Sequence, residues 1–131
     1  MTERRTILVA EDDRVLRDRM SLMLGGKYEV IPAKDGAEAL ACYFQDPARV
    51  ALVLTDCEMP LMNGIQLTVR LWRHDPRLPV VMMTGGIERV DFHGLLQTRN
   101  FALLWKPFDS RRLLELIECL LDGRESALTA A

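Results

Sequence analysis

A chain of 131 residues suits a single domain, long enough to bury roughly two thirds of the surface its unfolded form would expose. Its 17 basic and 19 acidic side chains nearly cancel at a net charge of −2, and the arginines are spread along the chain, which excludes a concentrated basic footprint and predicts no nucleic-acid binding by this chain alone. Cys42, Cys57 and Cys119 lie far apart with no C-x-x-C spacing; neither a disulfide framework nor a zinc site is implied, and they read as reduced core thiols.

In chain order, Met1-Thr2-Glu3-Arg4-Arg5 leads into a short apolar strand and is neither a secretory signal nor a membrane span, so the expected location is cytoplasmic with no membrane partner. The strand Thr6 to Ala10 stops at Glu11-Asp12. Asp13 can cap a helix in which Leu16, Met20, Met23 and Leu24 recur at i, i+4, i+7 and i+8. A second strand is expected over Tyr28 to Ala33 and a third over Ala51 to Thr55, which stops at Asp56. Asn63-Gly64 makes a turn before the third helix, and Val80 to Met83 forms a fourth strand ending at Thr84.

The stretch Ile87 to Gln97 has the weakest helical signal, because Gly94 costs about 1 kcal/mol relative to Ala in a helix interior, and it is expected to be the most mobile helix. Phe101 to Trp105 is the fifth strand and stops at Lys106. Asp109, after Pro107, can cap a last helix carrying Leu113, Ile117, Leu120 and Leu121. Residues 1–122 therefore form one domain, and 123–131, poor in apolar residues, are expected to be a frayed tail or the start of a linker. The strands are nearly continuous apolar runs, as expected when both faces of a sheet are covered. Strand and helix alternate five times, which predicts an α/β fold with a parallel sheet, right-handed crossovers and helices on both faces.

In such a sheet the carboxyl ends of the strands form the ligand crevice. Glu11, Asp12, Asp56, Thr84 and Lys106 all stand at those ends. Two carboxylates about 4 Å apart at an effective dielectric near 20 repel by roughly 4 kcal/mol, so this acid cluster invites a cation, and a hard oxygen-seeking ion such as Mg²⁺ fits best. Asp56, after a buried strand, is a candidate nucleophile, since an aspartate can accept a phosphoryl group as an acyl phosphate. Lys106 is one of three lysines beside fourteen arginines; its compact ammonium suits one phosphoryl oxygen and one carboxylate. Thr84 adds a hydroxyl on the same edge.

The arrangement resembles the receiver domain of two-component response regulators over nearly all of the chain up to Leu121. The matching pieces are Ile7-Leu8-Val9-Ala10-Glu11-Asp12-Asp13, Leu54-Thr55-Asp56-Cys57-Glu58-Met59-Pro60-Leu61-Met62-Asn63-Gly64, Met83-Thr84-Gly85 and Trp105-Lys106-Pro107-Phe108. The resemblance implies a doubly wound (βα)5, flavodoxin-like domain with a five-stranded parallel sheet of order 2-1-3-4-5. It implies Asp56 as phosphoacceptor, with Lys106 and Thr84 on the phosphoryl oxygens and a cis Lys106-Pro107 bond. Mg²⁺ would be held by Glu11, Asp12, Asp56 and the backbone carbonyl of Glu58, and Arg17 would fall at the usual basic position of the first helix. The implied donor is a histidine kinase or a histidine phosphotransfer protein, and the implied output is a protein target, or a second copy in a homodimer, at the surface of the fourth helix, fifth strand and fifth helix. The chain is thus expected to be a signalling domain, with no enzymatic activity beyond its own phosphoryl uptake and hydrolysis.

Two departures stand out: Arg99-Asn100 replaces the small-residue pair that commonly precedes the fifth strand, where the asparagine could still supply a left-handed turn, and the aromatic switch position is changed. The family's aromatic switch position, three residues before the lysine, is Leu103, although Phe101 and Trp105 share its strand parity. Glu58, two residues after the acceptor, and Gly86, two after Thr84, are expected at the mouth of the crevice, where Gly86 leaves the site open to water and Glu58 repels or orients it. Two competing readings are a haloacid dehalogenase-like phosphatase, which would place its other acids late in the chain, and a receiver-shaped interaction module that is never phosphorylated. His74 and His93 have no ligand-like spacing and are expected at the surface, whereas the methionines at 20, 23, 82 and 83 are expected in the core.

Overall fold

The computed structural model describes residues 4–86, 93–96, 98, 100–123 and 129–130. Five parallel strands, β1 (Thr6–Ala10), β2 (Glu29–Ala33), β3 (Val50–Asp56), β4 (Val80–Thr84) and β5 (Phe101–Trp105), lie in the order β2-β1-β3-β4-β5. Four full helices, α1 (Arg14–Gly25), α2 (Gly36–Gln45), α3 (Gly64–His74) and α5 (Ser110–Leu121), accompany them, and the described part of the fourth, α4 (His93–Leu96), is one turn. The expected mobility of Ile87 to Gln97 concerns residues that otherwise lie outside the described ones, as does the side chain of His93.

Alternation along the strands builds two cores. Leu8, Val53, Val80, Met82, Phe101 and Leu103 point to one face, where they pack with Tyr43 of α2 and Leu67 and Leu71 of α3. Ile7, Val9, Leu52, Leu54, Val81, Met83 and Leu104 point to the other, against Met20 and Leu24 of α1 and Leu113, Ile117 and Leu120 of α5. Each fully buried leucine contributes about 2 kcal/mol of transfer free energy. Because β1, β3, β4 and β5 are covered on both sides, their sequences are unbroken apolar runs; β2, at the edge, is only partly buried and tolerates Pro32.

Helix starts follow the local chemistry. Asp13 accepts from the N–H groups of Val15 and Leu16, Asp35 from Glu38 and Asp109 from Arg111. Asn63 does more than turn the chain: with Gln66 it forms a reciprocal capping box at the start of α3. Gly64 follows it where no other residue fits, since a Cβ there would come within 2.4 Å of the Asp56 carbonyl oxygen. Its N–H bonds to the Cys57 carbonyl at 2.9 Å, so the α3 start is fastened to the end of β3.

The tail departs from expectation. Thr129–Ala130 form a sixth, two-residue strand, β6, parallel to β5, with Leu103 opposite Thr129 and Leu104 opposite Ala130. The edge of β5 offers unpaired backbone donors and acceptors, and backbone pairing needs no apolar side chains, which is why composition gave no sign of it. The expected core thiols and methionines are largely inside: Cys57, Cys119, Met20, Met82 and Met83 are buried, and Cys42 is half-buried. His74 is exposed, yet its Nδ1 meets the Tyr43 hydroxyl at 2.8 Å.

Candidate functional site

Glu11, Asp56 and Lys106 arrive at the carboxyl edge from three different strands. The alternation of Ile7 and Val9, and of Leu52 and Leu54, carries Glu11 and Asp56 toward the α1 and α5 side. Asp56 is the last residue of β3, and the next N–H, that of Cys57, is tied to the Met83 carbonyl at 2.8 Å. Lys106 follows β5, its N–H held by the Thr84 carbonyl at 2.8 Å. The Lys106-Pro107 peptide is cis, as the resemblance implied.

These anchors bring the charges together. Lys106 Nζ donates to Asp56 Oδ2 at 3.1 Å and lies 3.9 Å from Glu11 Oε1. Asp56 Oδ1 accepts from the Glu58 N–H at 3.2 Å, so both acceptor oxygens are oriented. Glu11, Asp12 and Asp56 each present a carboxylate oxygen within 4.8 Å of the others. Asp13 takes no part in that cluster, because it caps α1.

Glu11 is 1% exposed, and burial is the main reason its carboxyl is pushed up to about 8. The Asp13 N–H on its Oε2, at 3.0 Å, opposes that shift, while the Asp56 charge adds to it. Its Oε1 is buried without a hydrogen-bond partner. Burial works against the Lys106 charge, but its hydrogen bond to Asp56 and the neighbouring Asp56, Glu11 and Glu58 charges prevail and hold the ammonium above its ordinary value.

Arg17 has a definite part that its place in the sequence did not show. Its Nη1 donates to the carbonyl of Glu11 at 2.7 Å and reaches that of Asp12 at 3.5 Å, fixing the acid loop to α1. Thr84 lies fully buried at the end of β4, opposite Trp105 in the β4–β5 register, with its Oγ1 accepting from the Gly86 N–H at 3.1 Å. Glu58 reaches toward the same side: a Cβ on Gly85 would lie 3.4 Å from its Oε1.

Gly86 is not simply an opening to water. It has φ +81, and a Cβ on it would come within 2.6 Å of Cζ3 and 2.9 Å of Cε3 of Trp105. An indole ring covers that position, and the pairing of Gly86 with Trp105 was not visible in the sequence because it joins residues 19 apart through the β4–β5 register.

Comparison with known proteins agrees with this geometry. Residues 7–118 match the family described as response regulator receiver domain. The response regulator protein FleR of Pseudomonas aeruginosa is 39% identical over 115 residues, covering 85% of this chain and 23% of FleR. The DNA-binding response regulator MtrA of Mycolicibacterium smegmatis is 32% identical over 125 residues, covering 95% of this chain and 54% of MtrA. This chain thus spans about half or less of the length of those relatives. A CheY-like response regulator receiver domain protein from Methanospirillum hungatei has a similar structure, with a TM-score of 0.82, 29% identity and coverage of 92% and 95% of the two chains. With its strand order, its clustered acids and a family match over most of its length, the chain belongs to the response regulator receiver domain family.

Proposed function

We propose that the chain accepts a phosphoryl group on Asp56 from a phosphohistidine donor, a histidine kinase or a histidine phosphotransfer protein. The observation that carries this reading is the convergence on Asp56 of one ammonium, two further carboxylates and an oriented backbone N–H. An Asp56 oxygen attacks phosphorus, the N–P bond of the donor breaks, and its electron pair returns to the imidazole nitrogen. Lys106 turns its charge toward the equatorial oxygens, where negative charge spreads in the transition state, so positioning and electrostatics do most of the work.

The site fits Mg²⁺. Three carboxylates from one strand end and its neighbour are a hard-oxygen donor set, and the buried Oε1 of Glu11, which has no hydrogen-bond partner, has a desolvation cost that a cation relieves. Glu11, Asp12 and Asp56 would hold the ion, with the Glu58 backbone carbonyl as the further ligand the resemblance implies. Bound there, Mg²⁺ neutralises charge on the incoming phosphoryl group. Arg17 keeps the Glu11-Asp12 backbone in place, and Thr84 supplies a hydroxyl to a phosphoryl oxygen.

On this reading the chain is a signalling domain acting in the cytoplasm, and its output is a protein target or a second copy at the α4–β5–α5 side. The early position of the acids and the family match leave the phosphatase alternative without support. Among the described residues no helix is long and apolar enough to cross a membrane.

The test is incubation with Mg²⁺ and acetyl phosphate followed by intact mass measurement. One phosphoryl adduct is expected, absent in Asp56→Asn; no adduct on the unsubstituted chain overturns the reading, and turnover of acetyl phosphate without a retained adduct favours a phosphatase. Glu58 sets the lifetime of the adduct, a role supported by its backbone N–H on Asp56 Oδ1 and by its exposed side chain beside Gly85. Decay of the adduct in Glu58→Ala at the unsubstituted rate refutes that role.

A further inference from the structure

Of the five main strands, the two outer ones are guarded in different ways. In β2 the Glu29 N–H bonds to the Arg5 carbonyl at 2.9 Å and the Ala33 carbonyl accepts from the Glu11 N–H at 3.0 Å. The odd-numbered residues of β2 thus turn their backbone groups to β1, and Val30 and Pro32 turn theirs outward. Pro32 has no N–H to offer there, and the exposed Glu29 adds a charge to the same strand, so β2 invites no further neighbour.

The same alternation leaves β5 unguarded. The Asn100 carbonyl accepts from the Val80 N–H and the Lys106 N–H donates to the Thr84 carbonyl, each at 2.8 Å, so the even-numbered residues face β4. Phe101, Leu103 and Trp105 therefore turn both N–H and C=O outward. The strand carries neither proline nor charge, and nothing in its own sequence turns a neighbour away. Its outward groups are also symmetric about Leu103: in an antiparallel pair of two such strands Leu103 meets Leu103 and Phe101 meets Trp105, and each outward residue enters a hydrogen-bonded pair.

We propose that the outer side of β5 is a self-pairing site centred on Leu103, and that the chain fills it with its own Thr129–Ala130, which keeps a second copy from adding there. β6 sits at that centre, with Thr129 opposite Leu103 and Ala130 opposite Leu104. By the rule that holds between β4 and β5, this parallel register aims the Ala130 N–H at the Leu103 carbonyl and turns the Thr129 N–H away from β5. A strand of two residues has little pairing to lose. Its displacement exposes a row of groups that a like strand matches one for one. The site owes nothing to phosphoryl transfer, since none of its residues belongs to the Asp56 cluster.

The test uses the full chain. Ala130→Pro removes the N–H aimed at Leu103, whereas Thr129→Pro removes one that faces away from β5, where proline is tolerated. Amide hydrogen exchange in β5 is read by NMR and mass in solution by sedimentation, both over a series of protein concentrations. The unsubstituted chain and Thr129→Pro should stay monomeric with the Leu103 amide protected. In dilute Ala130→Pro that amide should exchange roughly tenfold faster, the worth of about one hydrogen bond. At high concentration the same variant should reach twice the mass. The amides of Phe101, Leu103 and Trp105 should then gain protection together, while those of Ala102 and Leu104, which face β4, do not change.

An Ala130→Pro chain that stays monomeric at every concentration overturns the proposal, as does one that dimerises without protecting those three amides. So does a Thr129→Pro chain that behaves like Ala130→Pro, or an unsubstituted chain that already dimerises through β5. No phosphoryl donor is added, so these outcomes are independent of whether Asp56 takes up a phosphoryl group.

Discussion

The two ends of the sheet treat charge in opposite ways. At the amino end, charged side chains close off the structure: Lys27 pairs with Glu118, Arg4 donates to the carbonyl of Gly25 at the end of α1, and Arg5 donates to that of Leu121 at the end of α5 at 3.2 Å. These groups line an open groove of about 410 Å³, and each meets the oxygen that a helix terminus or a neighbouring carboxylate offers. At the carboxyl end, Glu11 and Asp56 are buried beside one ammonium, and Oε1 of Glu11 has no hydrogen-bond partner among the described residues. Surface pairs of the first kind contribute little to stability and are screened by salt, whereas an imbalance of the second kind is costly and persists only where something else is bound. The lesson is that charge matched within the chain marks structure and buried charge left over marks chemistry.

Substitutions at the two ends should therefore differ sharply. The largest effect is expected for Lys106→Ala, which leaves Asp56 and Glu11 facing each other with no cation; phosphoryl uptake from acetyl phosphate should slow by about 10²-fold, read from the rate of mass gain. A guanidinium fork is too broad for the place of a point charge, so Lys106→Arg should not restore the rate. A rate within twofold of the unsubstituted chain for Lys106→Ala would erase the distinction.

A smaller effect belongs to Glu11 and is read in the pH dependence of stability. Its carboxyl rises from 4.5 to about 8 on folding, chiefly by burial, so the folded chain binds this proton more tightly than the unfolded one. Stability from this group is therefore full below about 4.5 and is lost as pH rises through about 8. In metal-free buffer the melting temperature should fall across that window relative to Glu11→Gln, which carries no such proton. Mg²⁺ binds the ionised form, so its affinity should rise over the same interval, and titration calorimetry should detect proton release on binding. Parallel melting curves for the two proteins across the window would remove the argument. The smallest effect is expected at the amino end, where Lys27→Ala should change neither the rate of phosphoryl uptake nor Mg²⁺ affinity.

Much of the molecule was legible because its signals are local or periodic. Unbroken runs such as Leu52 to Thr55 reveal a strand covered on both faces, and Asp13 and Asp109 announce helix starts through a single hydrogen-bond preference. The site residues were legible for a related reason: a parallel sheet sends every strand end to one edge, so a charge after an apolar run is placed without knowing any distance. What stayed hidden depends on pairs that only folding creates. Arg17 was placed at the usual basic position of the first helix, but its reach to the Glu11 and Asp12 carbonyls could not be read from that. Gly86 looked like a gap, since nothing in the sequence says that the ring of Trp105 lies on it. Asn63 gave a turn signal but not its exchange with Gln66, which requires both side chains to fold back on the same helix end.

The direction of β6 has a geometric consequence. Running alongside β5 in the same sense, it returns the backbone from the foot of α5 to the level of Leu104, one register step short of the Trp105 that neighbours Lys106. The end of β6 therefore lies toward the same edge of the sheet as the aspartate, three strands along from β3. β6 thereby covers the backbone edge that β5 would otherwise leave open on the side away from β4.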